Sequence, residues 1–278
     1  MSTMSLNTNI SSLNAHRALT GTQNRLTQSL QRLSTGYRIN WAGDDAAGLA
    51  VSEKLGASVR SLSQAERNSN DALSVVHTAE GGLQEISNML VRMRELSVQA
   101  ASDTLGANER SYLDLEFSSL KTEINHITNT TEFNGQKLID GTISGTGLNF
   151  QVGMRNTAYD QIALNIDNCS ASSLGLSSSV GVTTQADAQS CMSIVDSAID
   201  TLSSQRAQLG AVGNRLSSTI NNLSISRENL TAAQSRIRDV DVAQETSALA
   251  RSQVLVQAGV AMLAQANQAP NMMLQLLR

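Results

Sequence analysis

The chain has 278 residues with 20 basic and 24 acidic side chains, a formal net charge of −4, so no basic excess points to nucleic acid. Aromatics make up 3% of residues and proline occurs once, at Pro270, against 40% hydrophobic residues, which favours long unbroken helices with thin seams over a bulky globular core. No run of 18 or more apolar residues reads as a membrane span, the N-terminal residues do not read as a secretory signal, and the scattered His16, His77 and His126 lack any metal-ligand spacing.

Residues 1–40 open on a helical pattern. Leu6, Ile10 and Leu13 share one face; after a phase shift, Leu19, Leu26, Leu30 and Leu33 share another. STGYRINWAGDD, with its two glycines, ends that pattern, and Asp44 and Asp45 are expected to cap the next helix and complement its positive end. From there a 3–4 spacing runs from Val51 through Leu62, Ala72, Leu83, Leu90 and Met93 to Ala100, a coiled-coil seam rich in small residues. Gly81 and Gly82 are its weak point; unbroken to about residue 101, this helix would be about 85 Å long. After DTLGAN, with Asn108 as the expected cap, Leu113, Phe117, Leu120, Ile124 and Ile127 predict a helix folding back on the previous one.

The period then changes. FNGQKLIDGT is turn-rich, and the alternations Leu148, Phe150, Val152 and Ile162, Leu164, Ile166 predict a short β-hairpin near 148–166. Residues 167–184, rich in Ser and Gly, read as a short surface loop. A third long helix is expected over 185–238, with Val195, Leu202, Leu209, Leu216, Leu223 and Leu230 on its seam; Arg206 and Arg227 fall on that seam and should snorkel or pair with carboxylates across it.

Asp239 and Asp241 punctuate the chain before an apolar tail, VLVQAGVAMLAQANQAPNMMLQLLR, which needs a partner because it is apolar on nearly every side. The order is therefore symmetric: end helix, acidic junction, rod, turns, rod, acidic junction, end helix. It predicts a mainly α fold of long antiparallel coiled-coil rods with a short β-hairpin region. Residues 1–43 and 239–278 would pair as one inner domain, and 44–166 with 185–238 would form the rods. Cys169 and Cys191, with neither CxxC spacing nor a neighbouring histidine, read as free thiols, the alternative being a disulfide outside the cell.

Nine segments in unbroken order resemble bacterial flagellins: LNTNISSLNAHRAL, LSTGYRIN, AGDDAAGLAVSEKL, RMRELSVQAA, EFNGQKLIDG, FQVG, RAQLGAVGNRL, SRIRDVDVAQE and LAQANQAPNMMLQLL. The large outer domains that many flagellins insert in the middle are missing; 167–184 stands in their place. The resemblance implies a filament subunit, exported unfolded by the flagellar type III pathway without a cleaved signal peptide and located in the extracellular flagellum. Its implied partners are further copies of itself in a helical homopolymer, an export chaperone, and filament cap and junction proteins, with no nucleic acid, membrane insertion or cofactor. Carried onto this sequence, inner-tube contacts fall on Leu6, Ile10, Leu13, Leu26, Leu30, Leu33, Leu249, Val256, Val260, Leu263, Met273 and Leu276, and the junction between layers on Asn40, Trp41, Asp44, Asp45, Asp239 and Asp241. Trp41 departs from the small or charged residue more usual in the family. Arg92, Leu96 and Glu116 match residues that the animal innate receptor Toll-like receptor 5 recognises in many flagellins, on a surface also expected to pack between subunits. Serines and threonines of 167–184 match a region O-glycosylated in some relatives.

No enzyme is read here. Adjacent Asp44 and Asp45 diverge at a helix start, which suits capping rather than acid–base chemistry, and no nucleophile elbow or HExxH occurs. The rival readings are a hook–filament junction protein and a non-polymerising coiled-coil scaffold.

Overall fold

The computed structural model describes residues 8–145 and 147–276, and side chains up to residue 268. Among the described residues there are five α-helices: α1 (Ile10–Thr35), α2 (Ala46–Ala100), α3 (Ala107–Thr130), α4 (Gln185–Arg238) and α5 (Val242–Leu276). Between α3 and α4 lie two antiparallel pairs, β1 (Glu132–Phe133) with β2 (Gln136–Lys137), and β3 (Leu148–Gln151) with β4 (Gln161–Leu164). The mainly α class with a small strand region is as the periodicities predict. The chain forms two compact units: unit 1 gathers 1–57 and 229–278, and unit 2 holds 58–228.

In unit 2 the seam residues of three helices go inward. Leu83, Ile86, Leu90 and Met93 of α2, Phe117 and Ile124 of α3, and Val195 and Leu209 of α4 are all fully buried. Ion pairs fix the direction of packing. On α2 and α4, Glu66 meets Arg227, Glu80 meets Arg206 at 3.0 Å, and Arg94 meets Asp196; one partner's number rises as the other's falls, so these helices are antiparallel. Arg206 and Arg227 thus pair across the seam, their aliphatic stems beside the core and their heads partly solvated, where such pairs contribute little to stability.

The helix α2 passes Gly81 and Gly82 without a break. The two glycines differ. A Cβ on Gly82 would lie 2.8 Å from the Thr131 hydroxyl and 3.2 Å from Ile139 Cδ1, whereas a Cβ on Gly81 would meet nothing within 4 Å. Gly82 therefore sets how closely α2 approaches the chain leaving α3. Gly81→Ala should raise stability by about 0.5–1 kcal/mol through lower unfolded-state entropy, while Gly82→Ala should lower it. Paired thermal melts check this; equal shifts of the same sign would refute it.

The helix α3 starts two residues earlier than expected. Gly106 is its N-cap, without a side-chain cap bond, and Asn108 lies in the first turn. Arg110 decides this: its guanidinium donates to the carbonyls of Ala100 and Ser102 at 2.8 and 2.9 Å, and so ties the loop to the helix start. Beyond α3, Asn134 and Gly135 have φ of 51° and 77°, the left-handed pair that a two-residue hairpin turn requires between β1 and β2. The β3–β4 register pairs Leu148 with Leu164 and Phe150 with Ile162, so the alternating apolar residues of both strands face the helices.

Residues 167–184, expected as a solvent-facing loop, form a strap fastened to α3. Cys169, Ala171, Leu174, Leu176 and Val182 are buried while Ser172, Ser173, Ser178 and Ser179 face out. Polar side chains of α3 hold the strap's backbone: Asn125 accepts from the Ala171 amide, Lys121 donates to the Ser177 and Val180 carbonyls, and Asp114 accepts from the Val182 amide. Ser and Gly composition signals irregular backbone, but the apolar residues between them still seek the core.

Both cysteines are free and buried. Burial, then the Asp167 carboxylate, pushes the Cys169 thiol up to about 12. Burial also raises Cys191, against a hydrogen bond from the Ser97 hydroxyl at 3.4 Å. Because the thiolate is the reactive form, both thiols should resist a colorimetric thiol reagent at pH 8 in the native chain and react fully in denaturant. Rapid native labelling would contradict the burial of both.

Candidate assembly surface

The residues read as a junction form a main-chain clamp inside unit 1. Gly36 ends α1 in the left-handed conformation, φ 75°, with its amide on the Arg32 carbonyl. Past it the chain runs alongside the α4–α5 link. Tyr37 bridges Asp239, the Arg38 amide donates to the Arg238 carbonyl at 2.7 Å, and the Val240 amide donates to the Gly36 carbonyl at 3.0 Å. The Arg38 guanidinium adds a bond to the Ile237 carbonyl, and Arg238 stacks on the Tyr37 ring at 4.5 Å. Ile39, 2% exposed, is buried beneath.

The four acidic residues of the junction divide the labour. Asp45 caps α2, its carboxylate accepting from the Gly48 amide at 2.8 Å. Asp241 caps α5 through the amides of Ala243 and Gln244. Asp44 does not cap, contrary to the expectation. It closes the 40–44 turn, accepting from the Asn40 amide at 3.1 Å and from Gln28 of α1. Burial alone would raise the Asp44 carboxyl, but the Asn40 and Trp41 amides, Gln28 and the charge of Arg32 outweigh it and hold it below the usual range. Asp239 continues the last turn of α4 through its amide. Trp41 is 64% exposed, its ring over Gly43, where a Cβ would come within 2.5 Å of it.

Unit 1 extends past the junction because the start of α2 and the end of α4 are joined: Gln234 donates to the Ser52 carbonyl at 3.3 Å and would collide with a Cβ on Gly56. Its boundaries therefore lie a few turns beyond the acidic junctions, inside both helices.

The remainder of unit 1 is the pair α1 with α5. Asn9 donates to the Ala266 carbonyl, Ser12 to Asn267, and Arg32 meets Glu245 at 3.7 Å. Gly259 lets α5 approach Leu19. The pair leaves much of its apolar surface in water. Its buried positions are the small hydroxyl residues Thr22, Ser29 and Ser252, whereas Ile10 is 58%, Leu13 58%, Leu30 50% and Val260 53% exposed. Leu26, Leu33, Leu249, Val256 and Leu263 are half-buried. Leu6 lies outside the described residues, as do the side chains of Met273 and Leu276. The structure adds Val242, Val254, Leu255 and Met262, all exposed, which the sequence reading did not single out. Their signal was the lack of any polar face on the tail.

The three residues matched to a receptor contact are in unit 2. Arg92 and Glu116 are exposed and paired at 2.8 Å, with Glu95 as a second partner of Arg92. Leu96 is fully buried. Among the described residues no group of three or more His, Cys, Asp or Glu could hold a metal, and no helix is long and apolar enough to cross a membrane.

Comparison with known proteins decides the family. The bacterial flagellin N-terminal helical region matches residues 6–144, and the bacterial flagellin C-terminal helical region matches 192–277. A flagellin of Halalkalibacterium halodurans is 45% identical over 275 residues, 99% of this chain and 100% of that protein. The chain belongs to the bacterial flagellin family. A Bacillus subtilis flagellin is likewise 45% identical, over 306 aligned positions covering 99% of this flagellin and 100% of that one. A solved structure described as a putative flagellar hook-associated protein from Vibrio parahaemolyticus shares the fold, with a TM-score of 0.59 over 70% of this chain and 100% of that one, at 15% identity. As a flagellin the chain is a structural subunit that polymerises into the flagellar filament for swimming, and is not an enzyme. Nothing favours the junction-protein or scaffold readings.

Proposed function

We propose that unit 1 is the element through which flagellin subunits join, the exposed apolar residues of α1 and α5 being covered by the same helices of neighbouring copies. The supporting observation is the apolar surface this pair leaves in water: Ile10, Leu13, Leu30 and Val260 are exposed, and Leu26, Leu33, Leu249, Val256 and Leu263 are only half-buried. Such a pair gains little by folding alone and much by association. Each aliphatic side chain transferred from water contributes roughly 1.5–3 kcal/mol, against the cost of ordering two subunits. The contact is heterologous and non-closing, which yields an open filament. The clamp at 36–45 and 238–242 holds the ends of α1 and α5 together.

The test is seeded elongation of the full chain followed by electron microscopy. Leu13→Gln with Val260→Gln should raise the critical concentration at least about tenfold with unit 2 intact by circular dichroism. Normal elongation would place the joint elsewhere.

The finer reading rests on family resemblance. The same apolar helices are covered by an export chaperone before type III secretion, and the filament meets cap and junction proteins outside the cell. A Toll-like receptor 5 contact is retained for Arg92 and Glu116, since Leu96 is inaccessible in the subunit.

A further inference from the structure

A groove of about 820 Å³ lies in unit 2 between the β3–β4 loop and one face of α4, within the size class of small-molecule sites. Its floor is apolar: Leu62, Val152, Ile162 and Leu223 are all buried. Its walls are polar and their hydrogen-bonding capacity is unspent. Arg155 comes from the loop and Arg215 from α4, and neither guanidinium has an ion-pair or hydrogen-bond partner among the described residues. On the same helix Arg206 and Arg227 pair with Glu80 and Glu66 across the seam; Arg215, between them, lines the groove instead. One face of α4 adds Asn214, Ser218, Asn222 and Ser226, each four residues after the last, and none of these side chains is hydrogen-bonded among the described residues. The groove's carboxylate, Asp160, accepts from the Thr157 hydroxyl at 2.8 Å, and the two guanidiniums remain in excess. Tyr159, 97% exposed, stands at the rim.

The loop that carries Arg155 is held in shape. The Gln151 side-chain amide donates to the Gly153 and Arg155 carbonyls at 2.9 and 2.8 Å, the Val152 amide donates to the Asp160 carbonyl at 2.8 Å, and Gln161 donates to Gln151 at 3.1 Å. Little ordering of the backbone is therefore left to binding.

These side chains select a ligand by chemistry. Planar guanidinium forks match carboxylates bidentately. A row of amide and hydroxyl side chains one helical turn apart offers donors and acceptors together, which suits a ligand with repeated hydroxyls. An exposed tyrosine presents an apolar ring face with a hydroxyl at its end, which suits the C–H face of a sugar ring. A free inorganic oxyanion would use the arginines alone and leave the α4 row and Tyr159 without a role. We propose that this groove binds an acidic saccharide of a few rings, with its carboxylates on Arg155 and Arg215, its hydroxyls on the α4 row and a ring against Tyr159. Such binding is separate from polymerisation and does not depend on how subunits join.

The test is ligand-observed saturation-transfer NMR on the full-length, unseeded chain, with trigalacturonate as the probe. Wild type should transfer saturation to the probe, and less so as salt rises, because the charges face solvent. Arg155→Gln with Arg215→Gln should weaken binding at least about tenfold, and Tyr159→Ala at least about threefold. Arg155→Lys with Arg215→Lys keeps the charge but loses the fork, and should fall between wild type and the glutamine pair. All three positions are exposed, and circular dichroism confirms that each variant is folded. Two competitors separate sugar from charge. Uncharged maltotriose should not displace the probe, and inorganic sulfate should displace it only at concentrations at least about tenfold above those of the probe. Absence of saturation transfer at millimolar trigalacturonate, undiminished binding by the glutamine pair, or displacement by maltotriose overturns the proposal. Displacement by sulfate at equal concentration reduces the groove to a site for free oxyanions and overturns the saccharide.

Discussion

Phe117→Ala is expected to lower the stability of unit 2 by about 3–5 kcal/mol. Phe117 is fully buried in α3 among seam residues of α2 and α4. Aromatics are scarce here, with three phenylalanines in the whole chain, so few neighbours have the bulk to collapse into the space. Truncation removes the transfer energy of the ring and leaves a cavity that long, mutually braced helices fill poorly. The side chain also carries Lys121, whose ammonium lies 5.8 Å from the ring centre and donates to the strap at Ser177 and Val180. The strap should therefore loosen with the core. Thermal unfolding should shift down by about 10 °C, and the amides of Ala171 and Val182 should exchange faster. A shift under about 2 °C would mean that the three-helix seam can repack around a vacancy.

Gly36→Val should open the junction clamp. At φ 75° a β-branched residue is a genuine outlier, and the left-handed conformation costs about 1–2 kcal/mol for any residue with a Cβ, more when branched. The Gly36 carbonyl is also the acceptor for Val240, so a shift there removes the bond nearest the start of α5. The expected result is faster exchange of the Arg38 and Val240 amides, new proteolytic cleavage within 36–45, and weak seeded growth although α1 and α5 keep their apolar residues. Unchanged exchange at Arg38 and Val240 would show that the clamp does not depend on the turn. Acid should act on the same place by another route. Asp44 sits below its usual range in the folded chain, so its contribution is complete above the unfolded value of 3.8 and is lost as pH falls below it. Asp44→Asn should make the 40–44 turn less sensitive to acid.

Much of the fold was legible because helical seams are written in local spacing. The 3–4 rhythm of α2 from Leu62 to Ala100 and that of α4 from Val195 to Leu223 appear in the structure as buried lines. The pairing of Arg206 and Arg227 with carboxylates followed from their place on that rhythm. Less was legible where the outcome depended on what a residue meets. Val51 continues the seam pattern yet is 49% exposed. Leu96 lies beside Ser97 in RMRELSVQAA and was matched to a surface contact, but α2 is covered on a wider arc than a two-position seam and Leu96 is enclosed.

The sequence by itself determined the helices, the two punctuation points at 41–45 and 238–242, the apolar excess of the ends and the flagellin family. Each is a property of spacing or composition that survives without knowing what touches what. Only the tertiary structure decided that Asp45 caps while Asp44 closes a turn, and that the Ser-rich strap buries its apolar residues against α3. It also decided which aliphatics of α1 and α5 stay in water, Ile10, Leu13, Leu30 and Val260, and which are half-buried, Leu26, Leu33, Leu249, Val256 and Leu263. Those outcomes depend on which donors and faces distant segments bring together, and hydrophobic burial, being non-directional, does not name its partner in the sequence.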